Sequence, residues 1–174
     1  FVGGSATPNL VFVAPDAQGR VCLSTPTETH LIVDVFGVFD ETADISVAAP
    51  RRLYDSRKVG GGAKVAAGDV VAIDLGDELS DTATGAILNL TGVLADAPGH
   101  FTAYPCRDGL PESSSLNLGV AGVVANAAVV TPDAEGLVCI ATHSSAHMVV
   151  DLLGEVGAVY TGIPPDRILD TRRR

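Results

Sequence analysis

Apolar residues along this chain fall in short runs that alternate with turn residues such as glycine, proline and aspartate. Leu10-Val11-Phe12-Val13 leads into Pro15-Asp16-Ala17-Gln18-Gly19 and then Val21-Cys22-Leu23, the pattern of a hairpin with a Gly-closed turn. Residues 127–140 repeat that pattern, and 86–104 give a third version around Asp96-Ala97-Pro98-Gly99. Further strands are predicted over 30–36, 52–56, 70–75, 115–118 and 147–153. Leu31-Ile32-Val33 and Met148-Val149-Val150 are continuous apolar runs, which suits strands central in a sheet. No stretch carries the periodicity of a helical bundle. Only 76–84 reads as a helical turn, while Gly60-Gly61-Gly62 and 108–114 read as loops. Roughly eight strands per repeat at about 8–12-residue spacing predict an all-β fold, an antiparallel β-sandwich of jelly-roll type. The recurring hairpin keeps a three-fold, β-trefoil-like barrel as the alternative.

The runs are also copies of one another. Pro15-Asp16-Ala17-Gln18-Gly19-Arg20-Val21-Cys22 returns as Pro132-Asp133-Ala134-Glu135-Gly136-Leu137-Val138-Cys139, an offset of 117 (132 against 15). The same offset aligns Asn9 with Asn126, His30 with His147, Asp34 with Asp151 and Gly37 with Gly154. Further on, the offset becomes 115 (167 against 52), and Arg52-Leu53-Tyr54-Asp55-Ser56-Arg57 matches Arg167-Ile168-Leu169-Asp170-Thr171-Arg172. The organisation expected is the second half of a repeat at 1–49, a complete repeat at 50–163, and the first strand of a following one at 164–174. The chain reads as an excised piece of something longer, and Phe1-Val2-Gly3-Gly4 does not read as a signal peptide. The half-repeat has an unpaired edge and should not stand alone. Val11-Phe12-Val13 and Leu31-Ile32-Val33 are too apolar to stay exposed, and the segment Arg167 to Arg172 is the natural strand donor.

Composition narrows the function classes. Of 174 residues 47% are hydrophobic, so a sizeable core is available. The net charge of −10 argues against nucleic acid, which needs a basic footprint, and against anionic lipid. No apolar run is long enough for a membrane-spanning helix.

In order, the motifs Ala86–Thr91, Gly99–Cys106 with Tyr104-Pro105-Cys106, Ser115-Leu116-Asn117, Val124-Ala125-Asn126-Ala127, Gly136–Cys139 and His147–Gly154 form a recognisable set. Bounded by Arg52–Arg57 and Arg167–Arg172, this set resembles the tandem repeats of secreted and surface proteins of actinobacteria. The resemblance covers essentially the whole chain as one and a half units. It implies a non-catalytic module that accompanies hydrolase, peptidase or amidase domains in large exported proteins. Two positions depart mildly: Gly154-Glu155-Val156 lacks the usual aromatic, and Tyr54-Asp55-Ser56-Arg57 stands for Leu-Asp-Thr-Arg.

Three cysteines are present. Cys22 and Cys139 are equivalent across the repeat, and Cys106 has no upstream counterpart in the chain. In an oxidising compartment Cys106 and Cys139 are expected to form a disulfide, with Cys22 free or bonded elsewhere. Buried reduced thiols are the alternative. Neither Cys-x-x-Cys nor a zinc-type His spacing occurs, so no metal and no cofactor is expected.

His147 and Asp151, like His30 and Asp34, lie four apart on a strand and share a face. They offer an acid/base pair, yet stand about 13 Å apart at the strand rise and cannot touch. A neighbouring strand's arginine or a turn is the expected partner; a docked serine near His147 would instead favour a hydrolase. Arg52, Asp55 and Arg57, with Arg167, Asp170 and Arg172, form a charged motif suited to a structural pair at the repeat junction or to a carboxylate or sugar site. Tyr104 and Asn117 complete the candidate binding or junction residues. The function expected is a secreted module for cell-surface spacing, attachment or assembly, its partners being neighbouring repeats or copies of itself. A carbohydrate or cell-wall-binding module is the second reading, weakened by the absence of Trp. A hydrolase using His147 and Asp151 is the third.

Overall fold

The computed structural model describes residues 8–11, 13, 15–39, 44–157 and 160–172. Ten strands follow in chain order: β1 Ile32–Phe39, β2 Ile45–Asp55, β3 Val70–Asp74, β4 Gly85–Val93, β5 Gly99–Pro105, β6 Leu116–Leu118, β7 Val123–Val130, β8 Leu137–Thr142, β9 His147–Val156 and β10 Tyr160–Asp170. The fold is all-β, and 76–84 is a turn rather than a helix.

Two four-stranded antiparallel sheets, ordered β2-β9-β4-β7 and β3-β8-β5-β6, are built from the eight strands between Ile45 and Val156. Their inward residues make one core. Leu88 and Leu90 of β4 with Met148 and Val150 of β9 meet Phe101 of β5, Leu116 of β6 and Ile140 of β8, all at most 1% exposed. Alternation along β4 sends Ala86, Leu88 and Leu90 inward and Ile87 to the opposite face. No sheet closes into a barrel, so the sandwich holds and the trefoil alternative does not.

The third sheet is the pair β1·β10. It continues β2·β9 end to end: Phe39 lies opposite Tyr160 and Ile45 opposite Val156, with the Gly157 N–H donating to Asp44 O between them. The described residues of 32–55 and 149–170 thus lie along one antiparallel ribbon. The two strands of that ribbon are the two copies of the repeat-connecting sequence, so it has a local two-fold character.

The predicted hairpin at 10–23 is a correction. Its turn is present, with Gly19 N–H donating to Asp16 O and Asp16 N–H to Arg20 O, as Gly136 and Asp133 do in the complete repeat. None of the described residues from 8 to 31 is in a strand, and Val11, Val13, Val21 and Leu23 are exposed. Phe12, within the predicted strand, lies outside the described residues. The physical reason is the neighbours. In the complete repeat β7 pairs with β4, and β8 lies between β3 and β5. The described half-repeat offers no counterparts of β3, β4 or β5, so its turn forms locally and its strands find no sheet.

Candidate functional site

The polar signature residues gather at the two ends of the ribbon. At one end, Arg52-Leu53-Tyr54-Asp55 closes β2 and leads into Ser56-Arg57 beside the start of β9. Arg52 donates from Nε to Asp151 Oδ1 and from Nη1 to Asp55 Oδ2 at 2.9 Å. Arg57 grips the same Asp55 with its backbone N–H at 3.1 Å and with Nε and Nη2 at 2.8 and 2.7 Å. The Asp55 side chain is only 2% exposed. The hydrogen bonds from the Arg57 side chain hold its carboxyl well below the usual carboxylate range, against the opposing effect of burial. Arg52 is shifted upward, chiefly by its hydrogen bond to Asp151.

Between them Ser56 ties the strands. Its Oγ accepts from the Met148 N–H at 3.1 Å and lies 3.2 Å from His147 Nδ1, while its own N–H donates to Met148 O at 3.0 Å. A serine therefore does stand at His147. Ser56 is buried, however, and its hydroxyl is already an acceptor for the backbone.

The opposite end repeats this arrangement with β10 and β1. Arg167 donates to Asp34 at 2.8 and 3.1 Å, and Arg172 to Asp170 at 3.0, 2.9 and 2.7 Å. Thr171 Oγ1 accepts from the Leu31 N–H at 2.9 Å and lies 3.3 Å from His30 Nδ1. The Thr171 N–H donates to Leu31 O at 3.0 Å. Cross-strand register is conserved through the offsets. Arg52 faces Asp151 as Arg167 faces Asp34, Tyr54 faces Val150 as Leu169 faces Val33, and Val47 faces Gly154 as Gly162 faces Gly37. Both pairs carry register shifts at the same two places, one of them at the segment holding Pro50 and its counterpart Pro165. Proline has no N–H to give a ladder, so a bulge on an edge strand is where it fits.

Eight of the candidate residues thus form two equivalent latches: Arg52, Asp55, Arg57, His147 and Asp151 in one, and Arg167, Asp170 and Arg172 in the other. His147 and Asp151 have different partners: Asp151 is engaged by Arg52 of β2 and His147 by Ser56 just past its end. The sequence reading missed Ser56 and Thr171 as members, although their equivalent places beside Asp55 and Asp170 were a usable signal. Tyr104 and Asn117 belong to neither latch. Tyr104 is buried with Cys139, Ala141 and Cys106 on the outer side of the second sheet. Asn117 lies opposite His100 on the β5·β6 pair. Tyr54 and Tyr160 are likewise not exposed, so among the described residues no tyrosine offers a flat sugar platform.

Cys106 and Cys139 are disulfide-bonded, and Cys22 is free and exposed. Among the described residues no group of three or more His, Cys, Asp or Glu is placed to hold a metal ion, and no helix is long and apolar enough to cross a membrane. No family model, curated protein or solved structure matches the chain.

Proposed function

We propose that this chain is a non-catalytic repeat module of an exported surface protein, serving spacing, attachment or assembly through strand pairing at its repeat junctions. The observation that carries this reading is the duplicated latch. In each copy the arginines, aspartates and histidine join a first strand to a last strand, within the complete repeat for β2·β9 and between two different repeats for β10·β1. Residues engaged in this way already have a structural role as ties between strands. The interchange of Ser56 and Thr171 at equivalent places fits a hydroxyl that ties strands, since either residue can accept a backbone N–H. A nucleophile would need an exposed hydroxyl with a free base beside it. The disulfide supports an oxidising, extracellular location, and the charge of −10 favours neither nucleic acid nor anionic membrane as partner.

A double-mutant cycle on Arg52→Ala and Asp151→Ala, followed by thermal unfolding, tests the latch. Coupling is expected, and additive effects would count against it. Treatment with a fluorophosphonate probe addresses the hydrolase reading: no adduct is expected on Ser56, and an adduct there would overturn the non-catalytic assignment. A glycan array decides the carbohydrate reading.

A further inference from the structure

The latches use two of the four histidines, His30 and His147, each set against a hydroxyl. The other two meet on the second sheet. Phe101 of β5 pairs with Thr142 of β8, and one step further the His143 N–H donates to His100 O at 2.9 Å. His100 and His143 are therefore cross-strand neighbours, although 43 positions apart in sequence (143 against 100). Phe101 and Ile140 point into the core, so alternation turns His100 and His143 to the outer face, the side of Tyr104, Cys139 and Ala141. Their rings stack, with centroids 4.9 Å apart and planes inclined by 16°. His143 is exposed and His100 half-buried, so the pair is open to water on one side.

We propose that this pair is a surface site for a late first-row transition-metal ion, Cu²⁺ or Zn²⁺, held by one nitrogen of each imidazole with water in the remaining positions. The site is separate from the latches and does not depend on the strand-pairing reading. A Zn–N distance of about 2.0–2.1 Å puts two ligand nitrogens of one ion roughly 3–3.5 Å apart. Directly opposed side chains on antiparallel strands start from Cβ atoms about 4.5–5.5 Å apart. Rings already 4.9 Å centre to centre need only turn about χ2, a soft torsion for histidine. The backbone thus holds both ligands side by side before an ion arrives, which lowers the ordering cost of binding.

The donor set selects the ion. Imidazole suits zinc and copper, whereas magnesium and calcium take oxygen ligands. Among the described residues no third His, Cys, Asp or Glu joins the pair, so the site is open and binds less tightly than a closed structural centre. Strand pairing does not call for imidazole here, because β5 and β8 are already joined from Phe101 and Thr142 to Pro105 and Val138. Nor is the pair part of the repeated pattern, since the offset of 117 puts Pro26 at the place of His143. A bound ion would clasp β5 to β8 just beyond their last ladder pair.

The experiment uses the full chain without an affinity tag, carrying Cys22→Ser to remove the free thiol, and simple Cu²⁺ and Zn²⁺ salts as probes. Calorimetric titration is expected to show saturable binding of one ion per chain, with Cu²⁺ the tighter of the two. His100→Gln and His143→Gln should each weaken binding at least about tenfold, since losing a ligand costs no less than losing a residue that merely orients one. Millimolar Ca²⁺ should not compete. In NMR spectra, sub-stoichiometric Cu²⁺ should broaden the imidazole signals of His100 and His143 and leave those of His30 and His147 sharp. Absence of saturable binding of both ions to the Cys22→Ser chain would overturn the proposal. So would unchanged affinity in both glutamine variants, competition by Ca²⁺, or broadening centred on His30 or His147. Should the variants fail to fold, as judged by circular dichroism, the broadening pattern of the Cys22→Ser chain decides alone.

Discussion

The ribbon β2·β9 and the ribbon β1·β10 are built from one sequence pattern in one register, and they differ in what lies beside them. Both carry the Arg–Asp–Arg latch and the Ser or Thr tie. Yet Val149 is 2% exposed and its counterpart Ile32 is 38% exposed. The first ribbon is the edge of a sandwich sheet, with β4 beyond it and a second sheet beneath. The second projects past that sandwich, anchored where Tyr160 packs on Ile87, Val129 and Val156. Pairing and register are therefore written in the strands themselves, while burial is supplied by neighbours. A polar latch can position two strands; only a packed sheet makes them part of a core.

The strongest way to sharpen the contrast is to remove the staple that the complete repeat has and the half-repeat lacks. Cys106 and Cys139 are 33 positions apart. Replacing both with serine should cost about 3–4 kcal/mol by the chain-entropy account. Replacing the exposed Cys22 should leave stability unchanged. Chemical denaturation of the two variants checks this pair.

Equivalent core positions come next. Met148 is fully buried, whereas its counterpart Leu31 is partly exposed. Met148→Ala should cost about 3 kcal/mol through transfer and cavity effects. Leu31→Ala should cost less than about 1 kcal/mol, because its site is already half open to water. Equal losses would show that the β1·β10 ribbon is as tightly packed as the sandwich.

The latches break the comparison in a different way, since they are the same in both ribbons. Asp55→Asn should lower the midpoint of thermal unfolding by several degrees, and Asp170→Asn by less, because the outer ribbon can open without the core. pH gives a second readout. The carboxyl of Asp55 is depressed in the fold by its hydrogen bonds from Arg57. Its contribution is thus fully present above the unfolded value of about 4 and is lost as pH falls below it toward the folded value. The Asp55→Asn protein should show a flatter decline in stability below about pH 4.

Much of this contrast was legible in the residues. The repeat and the spacing of apolar runs specified the sandwich, and equivalence of Cys22 with Cys139 left Cys106 as the remaining partner. The turn at Gly19 was also legible, because a turn is set by a few local residues. What was not legible was long-range. Val11 and Val13 look like their strand-forming counterparts Ala128 and Val130, and a hydrophobic pattern does not say whether a partner strand is present. The role of His147 needed the position of Ser56, 91 residues away in sequence. The pairing of β1 with β10, rather than with a strand of a second molecule, likewise depends on where the chain runs after Val156.

Tyr160 is the hinge of the comparison, and it carries the smallest and most local effect. Its ring lies 4.9 Å from that of Phe39, and its hydroxyl donates to Phe36 O at 3.1 Å, joining β10 to β1. The same side chain packs against Val156 and Ile87 of the sandwich. Burial pushes the phenol up to about 12, because a phenolate there would lose its water. A raised value means that the fold prefers the neutral form. The stability linked to Tyr160 is therefore complete below the unfolded value of about 10 and falls as pH rises through about 12. Tyr160→Phe keeps the ring and removes the hydroxyl, so it should cost only about 1 kcal/mol at neutral pH, the worth of one hydrogen bond. It should also abolish the alkaline decline that the native protein shows between those two values. Tyrosinate absorbance should show in the native chain a phenol that titrates above the ordinary value, and that component should be missing from the variant. A Tyr160 that titrates at the ordinary value would mean that the ribbon is not held against the sandwich at this point.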